Sequence, residues 1–220
     1  MITNHYWAPH PEMIRYAESL VKPNQKVLEL GPGEKPFSKS THFCGWEHGA
    51  QGLENGSICD FNLDKLPYKD KEFDFVYCRH VLEDIWNPFH AMNEIKRVGK
   101  AGYIETPSPV AEFCKHVDGG SPEYRGYHHH RWVIWNDGKK LNFLTKFSYI
   151  EKAGEFDDKF LFDILNKYPH KWNTYFIWDD NFDYKHHQLG VDFKDMGSMI
   201  SKSINFGLQN FVNTKSEVLL

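Results

Sequence analysis

Two stretches of this 220-residue chain carry residue types and spacings suited to chemistry. The first is VLELGPGEKPF, residues 27–37, an apolar run followed by glycines at 31 and 33. Small residues after a buried strand let the backbone approach a ligand with no side chain intervening. A dinucleotide fingerprint would continue to a third glycine at position 36 and open a long helix whose N-terminus holds pyrophosphate. Pro36 stands there instead, and eight residues separate Gly33 from the next apolar stretch. Such a turn is poor equipment for a pyrophosphate but adequate for a nucleoside ligand lacking phosphates. A plain tight strand exit is the alternative.

The second stretch is YRGYHHHRW, residues 124–132. Imidazoles titrate near neutral pH and serve as general bases. In an extended segment His128 and His130 share one face and His129 takes the other. The alternative is a polar loop packed with rings. No carboxylate or cysteine stands at convincing ligand spacing from these histidines, so no metal site is expected. The four cysteines (Cys44, Cys59, Cys78, Cys114) also lack zinc-ribbon spacing, and reduced thiols are the natural reading.

The elements that must position these residues alternate between helix and strand. Met13, Ile14, Ala17, Leu20 and Val21 fall at helical spacing after Pro11, which predicts a helix over 10–21. Val27–Leu30 reads as a buried strand, residues 42–46 and 57–59 as weaker ones, and Phe73–Cys78 as a strand dense in aromatic and branched residues. Asn87 is a natural N-cap with Pro88 at the first helical position and Gly99 past the end, so a helix spans 88–98. Gly102–Thr106 is the next strand, ended by Pro107. Strand–helix–strand with short links implies a parallel sheet with right-handed crossovers. Further on, Asn136-Asp137-Gly138 and Asp179-Asp180-Asn181 each lie between apolar runs, predicting hairpins at 132–144 and 175–186. Helices are expected over 156–168 and 195–212.

The segment LPYKDKEFDFVYCRHVLEDIWNPFHAMNEIKRVGKAGYIETPSP, residues 66–109, together with the first glycine turn, resembles the class I S-adenosylmethionine-dependent methyltransferases of the small type-11-like group. The likeness covers about residues 25–109. Members of that group read Leu-Pro-Phe, then Phe-Asp-x-Val, then His-Val-Leu-Glu-His and a helix ending in Arg-Val. A subgroup replaces the third glycine with a Pro-Phe pair, as Pro36-Phe37 does here. The last His of the motif is Asp84 in this chain.

The resemblance implies an α/β fold: a Rossmann-like methyltransferase sheet, mostly parallel with an antiparallel last strand, and an inserted hairpin cap. It implies S-adenosyl-L-methionine as cofactor. Glu29, Gly31 and Gly33 correspond to the motif that meets the methionine part. Glu47 corresponds to the acid that binds both ribose hydroxyls, with a solvated loop acid as the alternative. Asp60, with Phe61 beside the ring, corresponds to the acid that takes the adenine amino group; a turn-capping Asp is the alternative. Arg79 and His80 leave the C-terminal end of the fourth strand, where open α/β sheets bind ligands. A structural role for His80 is equally open. Glu105 and Thr106 end the fifth strand near the expected acceptor site, or cap it. Methyl transfer needs mainly in-line positioning, and a base only for an alcohol or protonated amine. His128, His129 and His130 are the candidates for that base.

Residues 1–220 are expected to form one domain: a cofactor core at 25–109, an inserted cap at 107–150, and a C-terminal helix and hairpin at 151–220. The charge balance of 26 basic and 30 acidic residues, net −4, argues against nucleic-acid partners. No apolar run reaches the ~18–20 residues of a membrane helix, so no membrane partner is expected. The start, MITNHYWAPHPEM, lacks the features of a signal peptide, which points to a cytoplasmic protein. The expected activity is methyl transfer to O or N of a small-molecule or sugar acceptor, the alternative being a non-catalytic partner or scaffold on the same fold. Seven Trp, 11 Tyr and 17 Phe, crowded after residue 107, suggest that the cap is lined with rings. Trp132, Trp135, Trp172 and Trp178 then either pack the hairpins down or form a lid over the substrate.

Overall fold

The computed structural model describes residues 10–46, 50–119, 122–151, 156–188 and 193–209. In chain order its elements are α1 (Pro11–Leu20), β1 (Val27–Leu30), β2 (His42–Gly45), β3 (Gly56–Ile58), β4 (Phe75–Arg79), α2 (Pro88–Val98), β5 (Ala101–Pro107), α3 (Pro109–Phe113), β6 (Trp132–Asn136), β7 (Lys140–Thr145), α4 (Asp158–Lys167), β8 (Asn173–Asp179), β9 (Asp183–His187) and α5 (Phe193–Gln209). They fall into two compact units, Pro11–Glu105 with Ile177–Phe182, and Thr106–Phe176 with Met1–His10 and Asp183–Leu220.

The first unit is built on a sheet of order β3-β2-β1-β4-β5-β8, parallel except for β8. Val27–Leu30 is buried along its whole length, as a strand covered on both faces must be. It registers against β2 (Leu30 with Cys44) and β4 (Leu30 with Cys78). Because β2 and β3 lie on one side of β1 while β4 and β5 lie on the other, the chain reverses direction between β1 and β4. The crevice outside the C-terminal strand ends at that reversal is where open α/β sheets take ligands.

The helix α2 starts and stops where its sequence says. The Asn87 side chain accepts the His90 N–H at 3.2 Å, Pro88 occupies the first turn, and the Gly99 N–H closes onto Ile95. Its inner face buries Ala91, Met92, Ile95 and Val98, worth about 1.5–3 kcal/mol for each larger side chain. Trp178, at the end of β8, lies so close to β5 that a Cβ on Gly102 would sit 2.8 Å from its indole nitrogen. The Asp180 N–H donates to Lys100 at 2.6 Å and secures the same edge.

The second unit holds a three-stranded sheet of order β6-β7-β9. β6 and β7 form the expected hairpin, with Gly138 in the left-handed region (φ +86°) at its turn. The expected second hairpin is corrected. β9 pairs in parallel with β7 (Leu141 with Tyr184, Phe143 with His186), while β8 belongs to the six-stranded sheet. The cause is in the side chains: the His187 ring stacks on Trp135 at 5.1 Å, and its Nε2 meets Asn142 Oδ1 at 2.9 Å. These contacts outweigh the local turn propensity of Asp179-Asp180-Asn181.

Val110, Phe113, Tyr127, Val133, Trp135, Leu161, Leu165, Trp172 and Ile200 make the core of this unit. Trp132, Trp135, Trp172 and Trp178 are all buried, at 8%, 1%, 4% and 4% exposure. They are packing residues and not a lid displayed to solvent, and so the ring-rich second half has an aromatic core of its own. The cap region opens with α3, which Ser108 caps by accepting the Ala111 N–H.

Candidate functional site

A cavity of about 580 Å³ opens at the reversal between β1 and β4, wholly within the first unit. Its floor is the turn after β1, Gly31-Pro32-Gly33, with Glu34 and Pro36 beyond. Trp46, Gln51, Leu53 and Phe61 come from the segments after β2 and β3, and His80, Val81, Asp84 and Ile85 from the one after β4. Mixed apolar walls with a few polar groups in this volume range suit a small organic ligand.

Gly31 adopts φ +67°, and a Cβ there would stand 2.4 Å from the Val81 Cγ2. Only glycine allows the β1 turn to press against the β4 turn in this way. At Gly33 a Cβ would meet nothing within 4 Å, so its backbone faces open space. Both glycines line the cavity.

Glu29 does not line the cavity; its carboxylate supports the wall. One oxygen accepts the Phe37 N–H at 2.9 Å and the Ser40 hydroxyl at 2.8 Å. Burial raises its pKa above the ordinary carboxylate value, against the opposing pull of those hydrogen bonds and of the Arg79 charge. The Phe37 ring lies flat on Tyr77 at 4.2 Å, and Tyr77 on Tyr103 at 5.3 Å, an aromatic column across the loop, β4 and β5. The Phe37 ring thus anchors the loop on the sheet.

His80 lines the cavity with φ +51°, a conformation uncommon for a residue with a Cβ. Its N–H donates to the Glu105 carbonyl at 2.9 Å, and its Nδ1 lies 3.0 Å from Glu83 Oε1. Arg79 is aimed differently: its Nε donates to Glu105 Oε1 at 3.1 Å, and the Tyr103 hydroxyl takes the other carboxylate oxygen at 2.5 Å. Burial works against the Arg79 charge, but the Glu105 carboxylate outweighs it and the guanidinium holds its proton more tightly than usual. Arg79 and Glu105 therefore brace the ends of β4 and β5. Thr106, the next residue, is buried in the second unit.

Phe61 is buried and contributes a cavity wall. The Asp60 carboxylate is engaged in its own turn, where Oδ1 accepts from both the backbone N–H and the side-chain amide of Asn62, at 2.8 and 2.7 Å. Glu47 lies outside the described residues. Trp46, Gln51 and Ile85 are cavity residues that the sequence reading missed. The exposure of Trp46, at 57%, would have been its only signal, and exposure is not written in sequence.

The histidine run belongs to the second unit and is not extended. The His130 N–H closes a reverse turn onto the Tyr127 carbonyl at 3.1 Å, which puts His128 and His129 out together and His130 inward. This corrects the expected pairing of His128 with His130 on one face. His130 Nδ1 meets Glu112 Oε1 at 2.5 Å, and Lys146 Nζ donates to the other oxygen at 2.7 Å. Gly126, at φ +59°, lets the segment press onto α3: a Cβ would come within 2.5 Å of the Glu112 carboxylate. Arg125 fixes the segment further by donating to the Phe113 carbonyl and to Asp158. Asp118, which the spacing did not bring forward, lies 2.9 Å from His128 Nδ1.

Parallel strands in the order β3-β2-β1-β4-β5, an antiparallel strand beyond them and a glycine-floored cavity at the reversal define a Rossmann-like α/β protein with a cavity where such sheets take ligands. Residues 44–104, under half the chain, match the family model of the methyltransferase domain. Over those residues the chain is similar to the S-adenosyl-L-methionine-dependent methyltransferases, and S-adenosyl-L-methionine is the cofactor this match supports.

Solved structures of partial likeness include the YcgJ protein of Bacillus subtilis (22% identity, 46% of this chain and 53% of that one, TM-score 0.35). A S-adenosylmethionine-dependent methyltransferase of Thermotoga maritima (18% identity, 47% and 52%, TM-score 0.36) is another. A third comes from Mesorhizobium loti (14% identity, 60% and 63%, TM-score 0.36). The chain spans about half the length of the first two. No curated protein matches it.

Proposed function

We propose that this protein transfers a methyl group from S-adenosyl-L-methionine to an oxygen or nitrogen of a small-molecule or sugar acceptor. The observation that carries this reading is the cavity over Gly31 and Gly33, whose glycine floor a Cβ at position 31 would disrupt. The residues present fit a nucleoside bearing an amino-acid tail. Trp46, Leu53 and Phe61 offer apolar faces, and Gln51, His80 and Asp84 offer polar contacts.

The bound cofactor supplies an electrophilic methyl group, so the chain's work is to bind and orient. Gly31 and Gly33 admit the ligand to the backbone, and Glu29 holds the loop that walls it. A base is needed only for an alcohol or a protonated amine. We assign that task to the exposed histidines, His128 and His129, and give His130 a positioning role through its contact with buried Glu112. A cytoplasmic location fits the four free, buried thiols. No helix among the described residues is long and apolar enough to cross a membrane.

Titration calorimetry with S-adenosylhomocysteine and S-adenosylmethionine tests the reading, followed by assay of S-adenosylhomocysteine release with hydroxyl and amine acceptors. Absence of binding at millimolar ligand would refute it. Binding without turnover for any acceptor class would favour the second reading, a non-catalytic partner protein on the same fold. Asp60, whose carboxylate is engaged by Asn62, is the observation on that side.

A further inference from the structure

We propose that Asp118, His128 and His129 form a binding site for a divalent transition-metal ion of the zinc type. The segment between α3 and β6 doubles back on itself, with Gly126 N–H donating to Cys114 at 2.9 Å and His116 N–H to Pro122 at 3.1 Å. A bridge between Lys115 and Arg125 secures the same fold-back. Asp118 thereby reaches His128, ten residues later, with Oδ2 and Nδ1 2.9 Å apart. The reverse turn at 127–130 then brings His129 to the same place, with ring centroids 5.5 Å apart. One ligand atom from each of the three residues lies within 4.8 Å of the others.

A tetrahedral ion with bonds of about 2.0–2.1 Å holds neighbouring ligand atoms roughly 3.3 Å apart. The Asp118–His128 pair is already inside that distance, and the His129 ligand atom lies within 4.8 Å of both. Two imidazoles and one carboxylate select zinc, cobalt or nickel over magnesium or calcium, which favour all-oxygen shells. Three protein ligands leave a fourth position for water or an incoming ligand. His128 is 55% exposed in its side chain, so an ion can enter from solvent. Once bound, the ion ties residue 118 to residues 128–129 and clips the loop whose inner side carries His130.

This inference goes beyond the methyl-transfer reading and does not rest on it. A ring nitrogen committed to a metal is unavailable as a base, so zinc binding at His128 and His129 would withdraw the base role from them. The full chain, stripped with chelator, is titrated with zinc chloride by calorimetry and with cobalt chloride by visible absorption. The expected result is one ion per chain, unaffected by excess magnesium and accompanied by a rise in Tm. Binding should be lost in H128A/H129A and at least about tenfold weaker in D118N, since even outer partners of a metal ligand cost that much. Circular dichroism checks that these variants fold, and H90A, which alters a histidine elsewhere, should bind normally. The proposal is overturned if native protein binds zinc no tighter than about 100 μM. It is equally overturned if H128A/H129A binds as well as native protein, or if H90A removes the effect.

Discussion

The carboxylate of Glu29 accepts the backbone N–H of Phe37, eight residues downstream, at 2.9 Å. A residue inside a buried strand thus holds down the far end of the loop that follows it, while the Phe37 ring lies on Tyr77 of β4. Loop, β1 and β4 become one body around the cavity. Removing the acceptor leaves a buried N–H without its partner, which costs about 1–3 kcal/mol. E29A is therefore expected to lower the unfolding free energy from urea titration by that amount and weaken S-adenosylhomocysteine binding at least tenfold in calorimetry. E29Q keeps an acceptor oxygen and should lose less on both measures.

Gly31 faces two separate constraints, its φ of +67° and the 2.4 Å approach to Val81 that a Cβ would make. G31A should destabilise the protein by more than about 1 kcal/mol. In a double-mutant cycle G31A/V81A should recover the steric part and leave the backbone part. Strict additivity of the two losses would contradict the packing described.

His80 combines a left-handed backbone with a place in the cavity wall. The backbone strain is on the order of 1 kcal/mol or more for a residue with a Cβ. H80A retains the strain and loses the imidazole, whereas H80G loses both. H80G is expected to be more stable than H80A in chemical denaturation, with both weakened in ligand binding. Equal stability of the two variants would argue against strain at this position.

Glu112 sets a pH dependence. Burial pushes its carboxyl up, but the charges of Lys146 and His130 outweigh burial and hold it at about 2, against an ordinary 4.5. The depressed value means that the unfolded chain binds the proton first. Its contribution to stability is full above pH 4.5 and is lost as pH falls towards 2. E112Q should flatten this part of the stability profile and cost about 3–5 kcal/mol at neutral pH, because buried Lys146 loses its counter-charge. E112Q/K146M should regain part of the loss. Urea titrations across the acid range measure both effects.

The parts of the fold legible in the sequence are those set by local energetics. β1, β4, α2 and β5 appear within a residue or two of their expected limits, because hydrophobic period, the Asn87 cap and the Pro88 and Gly99 boundaries act over a few residues. The glycine turn after β1 was legible for the same reason. The pairing of β9 was not, since a ring contact with Trp135 and a hydrogen bond accepted by Asn142 decided it across 40 or more positions. The same holds for Asp118, which the fold-back of its segment brings to His128.

By itself the sequence determined the alternation of strand and helix, the glycine turn after β1 and the kind of ligand such a turn admits. Only the tertiary structure decided which side chains meet: Trp46, Gln51 and Ile85 in the cavity wall, Glu29 as the anchor of its loop, and His130 turned inward while His128 and His129 face out. Local propensity is written in neighbouring residues and is read there. Partnership between distant side chains depends on small differences in packing and hydrogen-bond geometry, which are fixed only when the chain has closed on itself.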